Sequence, residues 1–253
     1  TEEAMVYDLE VLKRMGFNML RKHVKVEPRR FYYHCDRLGL LVWQDMPSGD
    51  QSISPDQVDL VRTPASAAQY YLELGRMVAN LFNHPSIVIW VPFNEGWGQF
   101  DSGKVVEFIR GLDSTRLVNQ ASGWTDRGGG DVVDWHRYPG PDSPIPEPLR
   151  AAVLGEFGGL GLKSAGHMWT EENWGYQKME DAAGLQKRYE QLWTRVWELQ
   201  ETAGLSAAVY TQTTDVETEA NGLMTYDREI IKQDIARAPL LHSGRLPMLP
   251  LAR

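Results

Sequence analysis

Two glutamates stand out for the company they keep. Glu95 ends the string Trp90-Val91-Pro92-Phe93-Asn94-Glu95, and Glu156 sits within Val153-Leu154-Gly155-Glu156-Phe157-Gly158. Each closes a run apolar enough to be buried, where a carboxylate is costly unless paired or hydrogen-bonded. Either one alone fits a structural ion pair at a domain rim. Two of them opening into one cavity fit a particular chemistry. One carboxyl donates a proton to a leaving oxygen while the other, ionised, attacks carbon. At about 5–5.5 Å apart, such a pair cleaves a glycosidic bond with retention.

The elements that must position these groups alternate along the chain. Met5, Leu9, Leu12 and Met15 have helical spacing, and residues 17–21 read as a strand. Residues 28–38 read as a helix that opens at Pro28 and is capped by Gly39. Strands are predicted at 40–43, 87–91, 117–119, 132–133, 151–154 and 207–210. Helices fall between them at 71–81 and 105–112. A strong amphipathic stripe runs through Leu185, Tyr189, Leu192, Val196 and Leu199. Residues 157–183 read as a long loop, and a last short helix is predicted near 227–236. The pattern is α/β with a parallel sheet.

Seven predicted strands in a chain that opens on a helix fit a (β/α)8 TIM barrel lacking its first strand, so that strands 2–8 are present. Residues 1–238 form the barrel in this reading, and 239–253 a C-terminal tail or linker. A doubly wound nucleotide fold is disfavoured, because no Gly-x-Gly-x-x-Gly or Walker sequence occurs. The run Gly128-Gly129-Gly130 precedes a strand and reads as a loop.

Barrel active sites form at the C-terminal ends of strands. That rule alone selects Arg21 and His23, Gln44 and Asp45, Asn94 and Glu95, Asn119, Ser122 and Trp124. It adds Asp134, His136 and Tyr138, then Glu156, Gln212 and Asp215.

The 253 residues carry a net charge of −8, which repels nucleic-acid phosphates and anionic membranes, so neither is an expected partner. The lone Cys35 excludes an intramolecular disulfide and a multi-thiolate zinc site, and reads as packing. No His-Glu-x-x-His helix points to a metal-dependent hydrolase, and no Gly-x-Ser-x-Gly elbow to an esterase. No metal and no cofactor is expected. The first residues lack a signal-peptide pattern, no apolar run is long enough to span a membrane, and the compartment stays open. Nine Trp and ten Tyr lean towards carbohydrate, whose apolar ring faces stack on aromatics. Trp97, Trp124, Trp169 and Trp174 fall in loops on the predicted catalytic side. One or two of them form a stacking platform in this reading, with Trp97 and Trp124 the candidates beside the strand ends.

The chain resembles the catalytic barrel of glycoside hydrolase family 2, which includes β-galactosidases, β-glucuronidases and β-mannosidases. The similar stretches are Gly16-Phe17-Asn18-Met19-Leu20-Arg21, the run from Cys35 to Trp43, and the run from Asn83-His84-Pro85-Ser86 through Trp90. Asn94-Glu95, Leu154-Gly155-Glu156-Phe157-Gly158 and Thr213-Thr214-Asp215-Val216-Glu217 follow, in the family's order. The resemblance implies a retaining β-glycosidase with Glu95 as general acid/base and Glu156 as nucleophile. It implies that Asn94 bonds the sugar 2-hydroxyl, that Tyr138 bonds the nucleophile and that Arg21 holds it ionised. His136 is expected at substrate or at the rim. It further implies β-sandwich domains ahead of the barrel in a longer parent chain.

The chain departs from the family at Lys22-His23-Val24, where members often carry Ser-His-Tyr-Pro. It departs again at Gln44-Asp45, where many have Asp-Glu with a magnesium-binding residue. Trp43-Gln44-Asp45 is closer to the mannosidase pattern. A non-catalytic, carbohydrate-binding barrel is the alternative expectation.

Overall fold

The computed structural model describes residues 1–245. Four strands form one parallel sheet in chain order: β1 (Met19–Lys22), β2 (Leu41–Asp45), β3 (Ile87–Val91) and β4 (Leu117–Val118). Three more form a second parallel sheet: β5 (Val132–Arg137), β6 (Ala151–Gly158) and β9 (Ala207–Thr211). The two sheets meet where Asp131 bridges β4, its amide donating to the Val118 carbonyl at 2.8 Å and its carboxylate accepting from the Val118 amide at 2.7 Å. The result is an α/β barrel wall of seven strands, as the sequence pattern predicts. Among the described residues β9 and β1 make no ladder with each other, so the wall is interrupted there.

Helices cover the outside: α1 (Glu2–Arg14), α2 (Arg29–Leu38), α3 (Pro64–Leu81), α4 (Ser102–Leu112) and α5 (Ala182–Ala203). Their ends follow local chemistry. Thr63 caps α3 with Pro64 in its first turn, Asp181 accepts from the Gly184 amide at the start of α5, and Gly39 closes α2 in the left-handed region. The predicted stripe of α5 is buried at Leu185, Tyr189, Leu192, Val196 and Leu199.

Strand alternation divides the core in two. Outward side chains such as Val42, Trp90 and Leu154 join the helices in the main cluster. Inward side chains Trp43, Ile89, Val91, Val132 and Val153 fill the barrel axis, with Met19 packed against them. Cys35 lies in the outer cluster, where burial pushes its thiol up to about 12, in keeping with packing and not reactivity.

Two stretches differ from the sequence expectation. The loop 157–183 carries a small parallel ladder, β7 (Leu160–Gly161) with β8 (Gln177–Lys178). The short helix expected near 227–236 lies instead at α6 (Ala238–His242). Residues 225–230 form a turn because the side chains of Thr225 and Asp227 accept from the Ile230 and Glu229 amides, competing with helical bonding. Residues 239–242, expected to belong to a tail, continue α6 from Ala238, and its Ala238 and Leu241 are buried. Tyr189 of α5 hydrogen-bonds His242 at 2.7 Å. Residues 246–253 lie outside the described residues. No described helix is long and apolar enough to cross a membrane.

Candidate active site

The alternation that fills the barrel axis also builds its upper end. Along β1 the inward positions run Met19 then Arg21, along β2 Trp43 then Asp45, and along β5 Val132, Asp134 and His136. Each strand is apolar inward at its start and ionisable inward at its C-terminal end. β6 follows the pattern through an irregularity. Its register against β5 shifts between Trp135 and His136, so that His136 pairs with Glu156. Gly155 is what the shift requires: a Cβ there would lie 2.3 Å from the Asp134 carboxylate, which accepts the Gly155 amide at 2.6 Å.

Arg21 is the hub. It grips Asp45 through Nε at 3.0 Å and Nη2 at 2.7 Å, Asn94 Oδ1 through Nη2 at 2.7 Å, and Glu156 Oε1 through Nη1 at 3.0 Å. Nη1 also faces the Gly155 carbonyl at 3.4 Å. Its side chain is only 2% exposed, so these bonds are desolvated, and the surrounding carboxylates outweigh burial to raise its proton affinity.

The two glutamates sit in unlike surroundings. Glu156 Oε1 takes the Arg21 bond and Oε2 accepts a short hydrogen bond from Tyr138, whose hydroxyl also meets Thr211 Oγ1 at 2.8 Å. Burial pushes the Glu156 carboxyl up, but His136, Arg21, His23 and the Tyr138 hydroxyl together hold it below the usual range. Burial and the Glu156 charge push the Tyr138 phenol far up, so it stays a donor.

Glu95 is the more open of the pair, its side chain 22% exposed against 14% for Glu156. Its backbone is in the left-handed region at φ 50°, a strained conformation costing on the order of 1–3 kcal/mol, and its amide donates to the Ser122 carbonyl at 2.9 Å. Gly123 (φ 104°) leaves room beside it, since a Cβ there would approach Glu95 Cγ at 3.3 Å.

His136 stands between them, with Nδ1 2.7 Å from Glu95 Oε1 and 3.5 Å from Glu156 Oε2. Nε2 lies 2.7 Å from Ser122 Oγ, which donates to Asp134 at 2.6 Å. Burial lowers the imidazole's proton affinity, but Glu156, Glu95 and Asp134 overcome this and the net shift is upward.

Ligand atoms of Glu95, His136 and Glu156 all lie within 4.8 Å of one another. A cation could in principle sit there, but Arg21 and Tyr138 already engage both oxygens of Glu156. The arrangement is that of a carboxylate pair facing a common opening.

The structure gathers Arg21, Asn94, Glu95, His136, Tyr138 and Glu156 into this one cluster. Trp97 and Trp124 flank it beside Glu95, lining a shallow depression with Ile53 and Pro55, and the Trp124 ring meets His136 edge-on at 6.0 Å. Trp174 packs edge-on to Tyr176 and Trp169 to Tyr226.

Sequence reasoning missed Tyr176 and Glu219. The Tyr176 ring stacks on that of Tyr138 at 3.5 Å, and both residues line the pocket at Glu156. Neither follows a strand directly, so the strand-end rule does not reach them; residues 174 and 219 meet in a short bridge between two loops. Asp215 is buried and pairs with Lys232 Nζ at 2.7 Å, which also donates to the Leu162 and Ala220 carbonyls at 3.1 Å. It therefore shapes the loop that carries Glu219.

Comparison with known proteins agrees with this architecture. The family described as Glycosyl hydrolases family 2, TIM barrel domain, matches residues 1–230. A β-galactosidase of Aeromonas hydrophila subsp. hydrophila is 34% identical over 135 residues, covering 53% of this chain and 13% of that protein. A putative β-glucuronidase of Formosa agariphila is 29% identical over 123 residues, covering 49% and 12%. Among solved structures, a Bacteroides uniformis β-glucuronidase covalently bound to cyclophellitol-6-carboxylate aziridine superposes with a TM-score of 0.71 at 17% identity, over 98% of this chain and 34% of that one. A β-galacturonidase from Eisenbergiella tayi bound to galacturonate gives 0.70 at 19%, over 97% and 48%. The aligned region is thus a small part of the curated relatives and less than half of either of these solved chains. With its family match running through the barrel and the site, the chain belongs to glycosyl hydrolase family 2, as a TIM barrel domain.

Proposed function

We propose that this barrel hydrolyses β-glycosides by double displacement, with Glu156 as nucleophile and Glu95 as general acid/base. The observation that carries the reading is the carboxylate pair itself. Oxygens of Glu95 and Glu156 lie within 4.8 Å of each other in unlike environments. That spacing belongs with the roughly 5–5.5 Å of retaining enzymes and not with the roughly 6.5–9.5 Å that leaves room for a water in inverting ones.

Glu156, held ionised by Arg21 and Tyr138, attacks the anomeric carbon. The bond to the leaving oxygen breaks as Glu95 passes its proton to that oxygen. A glycosyl ester on Glu156 results. Glu95, now ionised, takes a proton from water, whose oxygen attacks the same carbon and frees Glu156. Two inversions give net retention. Asn94, fixed by Arg21 through its Oδ1, is the group for the sugar 2-hydroxyl, and Trp97 and Trp124 beside Glu95 suit the leaving-group side. The relatives being longer chains supports further domains, β-sandwiches ahead of the barrel, in the parent protein.

A second reading, carbohydrate binding without turnover, draws on the interrupted wall between β9 and β1 among the described residues. Proton NMR of the first-formed product from an aryl β-glycoside separates the two. Initial appearance of the β-anomer supports double displacement. An initial α-anomer refutes it, and binding with no product favours the second reading.

A further inference from the structure

The pocket beside Glu156 is walled by Arg21, His23, Tyr138, Tyr176, Gln212 and Glu219, among others. Its charges are lopsided. Three carboxyls open into it, those of Glu95, Glu156 and Glu219, against two basic residues, Arg21 and His23, among its described lining.

Arg21 is not available to a ligand. Arg21 has five N–H donors, and all are committed: Nε to Asp45, Nη1 to Glu156 and the Gly155 carbonyl, Nη2 to Asp45 and Asn94. Because Asn94 Oδ1 faces Arg21, its Nδ2 must be the atom 3.2 Å from His23 Nε2.

Glu219 differs from the other two carboxyls. It lies on the loop after β9, takes one bond from Asn221 Nδ2 at 2.9 Å on Oε1, and is half-buried. Asn221 is itself held by Gln212 Nε2 at 2.7 Å. No cation pairs with Glu219 among the described residues. An acceptor fixed in this way suits the hydroxyls of a neutral sugar. It opposes a substrate carboxylate, which would enter beside the carboxylates of Glu219 and Glu156 with the Arg21 guanidinium already fully engaged.

We propose that Glu219 is a specificity-determining residue and that the site takes neutral glycosides and rejects uronides. This rests on the glycosidase reading and narrows it to a substrate class. It also sets the chain apart from the β-glucuronidase and the β-galacturonidase that share its fold.

The test compares kcat/KM of the full chain on nitrophenyl β-galactoside, β-mannoside and β-glucoside with the β-glucuronide and β-galacturonide. The best neutral substrate should exceed both uronides by about 100-fold or more, since sites that reject by unpaired polar groups discriminate strongly. Glu219→Gln should shrink that ratio at least about tenfold, by removing the opposing charge. A uronide matching or beating every neutral substrate overturns the proposal, as does a ratio unchanged in Glu219→Gln. Calorimetric binding of a neutral glyconolactone against its uronic counterpart on the unaltered protein needs neither turnover nor the variant. Preference for the neutral lactone supports the proposal and preference for the uronic one refutes it, whether or not the hydrolytic reading survives.

Discussion

Arg21 Nη1 lies 3.0 Å from Glu156 Oε1, and the same guanidinium is locked against Asp45 by two bonds of 3.0 and 2.7 Å. The cation that stabilises Glu156 is therefore oriented by a second carboxylate on a neighbouring strand. Orientation and charge come from one side chain, and its removal should damage both the fold and the chemistry.

Arg21→Gln should cost stability on the order of 3–5 kcal/mol, the usual penalty for leaving buried charges unpaired. It should lower kcat by about 100-fold or more, as expected when a preorganised electrostatic partner is lost. Urea unfolding and steady-state rates read the two effects separately. A variant as stable and as active as the parent would show that the hub is ornamental.

Tyr138→Phe removes one of the groups that hold Glu156 below the usual carboxylate range. Ionised Glu156 is the working form, so activity is present above its depressed pKa and lost as pH falls through it. The acidic limb of kcat/KM should therefore move to higher pH in the variant. The rate at the optimum should drop about 10- to 100-fold, matching a hydrogen bond to a charged acceptor worth about 1.5–3 kcal/mol. A limb that stays put or moves to lower pH contradicts the assignment.

His136 carries a pH signature of the opposite sign. Its proton affinity is raised in the folded chain: burial opposes the charge, but Glu156, Glu95 and Asp134 outweigh it. The stabilisation this gives is complete below the unfolded value of about 6.5 and fades as pH rises through the higher folded value. The stability gap between the parent and His136→Gln should be widest in mild acid and narrow as pH rises. Unfolding midpoints across that range check it; a gap that widens with pH would be the wrong sign.

Much of this site is legible in the chain because the apolar runs of β1, β2, β3, β5 and β6 each lead, within the strand or a few residues past it, into a polar or charged residue. Strand period and the rule for barrel ends bring Arg21, Asp45, Asn94, Glu95, His136 and Glu156 to one place on paper. The single-residue slip before His136, and the Gly155 that permits it, are tertiary facts set by the Asp134 carboxylate, with no local signal. Tyr176 and Glu219 stay hidden for another reason. They belong to loops held together by long-range contacts such as those of Lys232 and Asp215 and the bridge between residues 174 and 219, and such pairings leave no periodicity to read. The misplaced last helix shows side chains of Thr225 and Asp227 overriding a helical pattern.

Trp97 and Trp124 are 50% and 44% exposed, enough to receive a ring without rearrangement. Replacing Trp124 by Ala should raise KM for aryl glycosides by about 3- to 10-fold, consistent with about 0.5–1.5 kcal/mol of lost ring contact. It should leave kcat within about threefold, because such contacts serve ground and transition states alike. Steady-state kinetics on aryl and methyl glycosides of one sugar checks this. Equal losses on both would mean that Trp124 does not face the leaving group.

The most direct measurement is covalent trapping. Incubating the full chain with an activated 2-fluoro β-glycoside should add one fluoroglycosyl mass, and peptide mapping should find it as an ester on Glu156. The Glu156→Gln chain should take up no label. A label found on another residue, or turnover of the reagent in the Glu156→Gln chain at the parent's rate, would contradict the assignment of Glu156 as nucleophile.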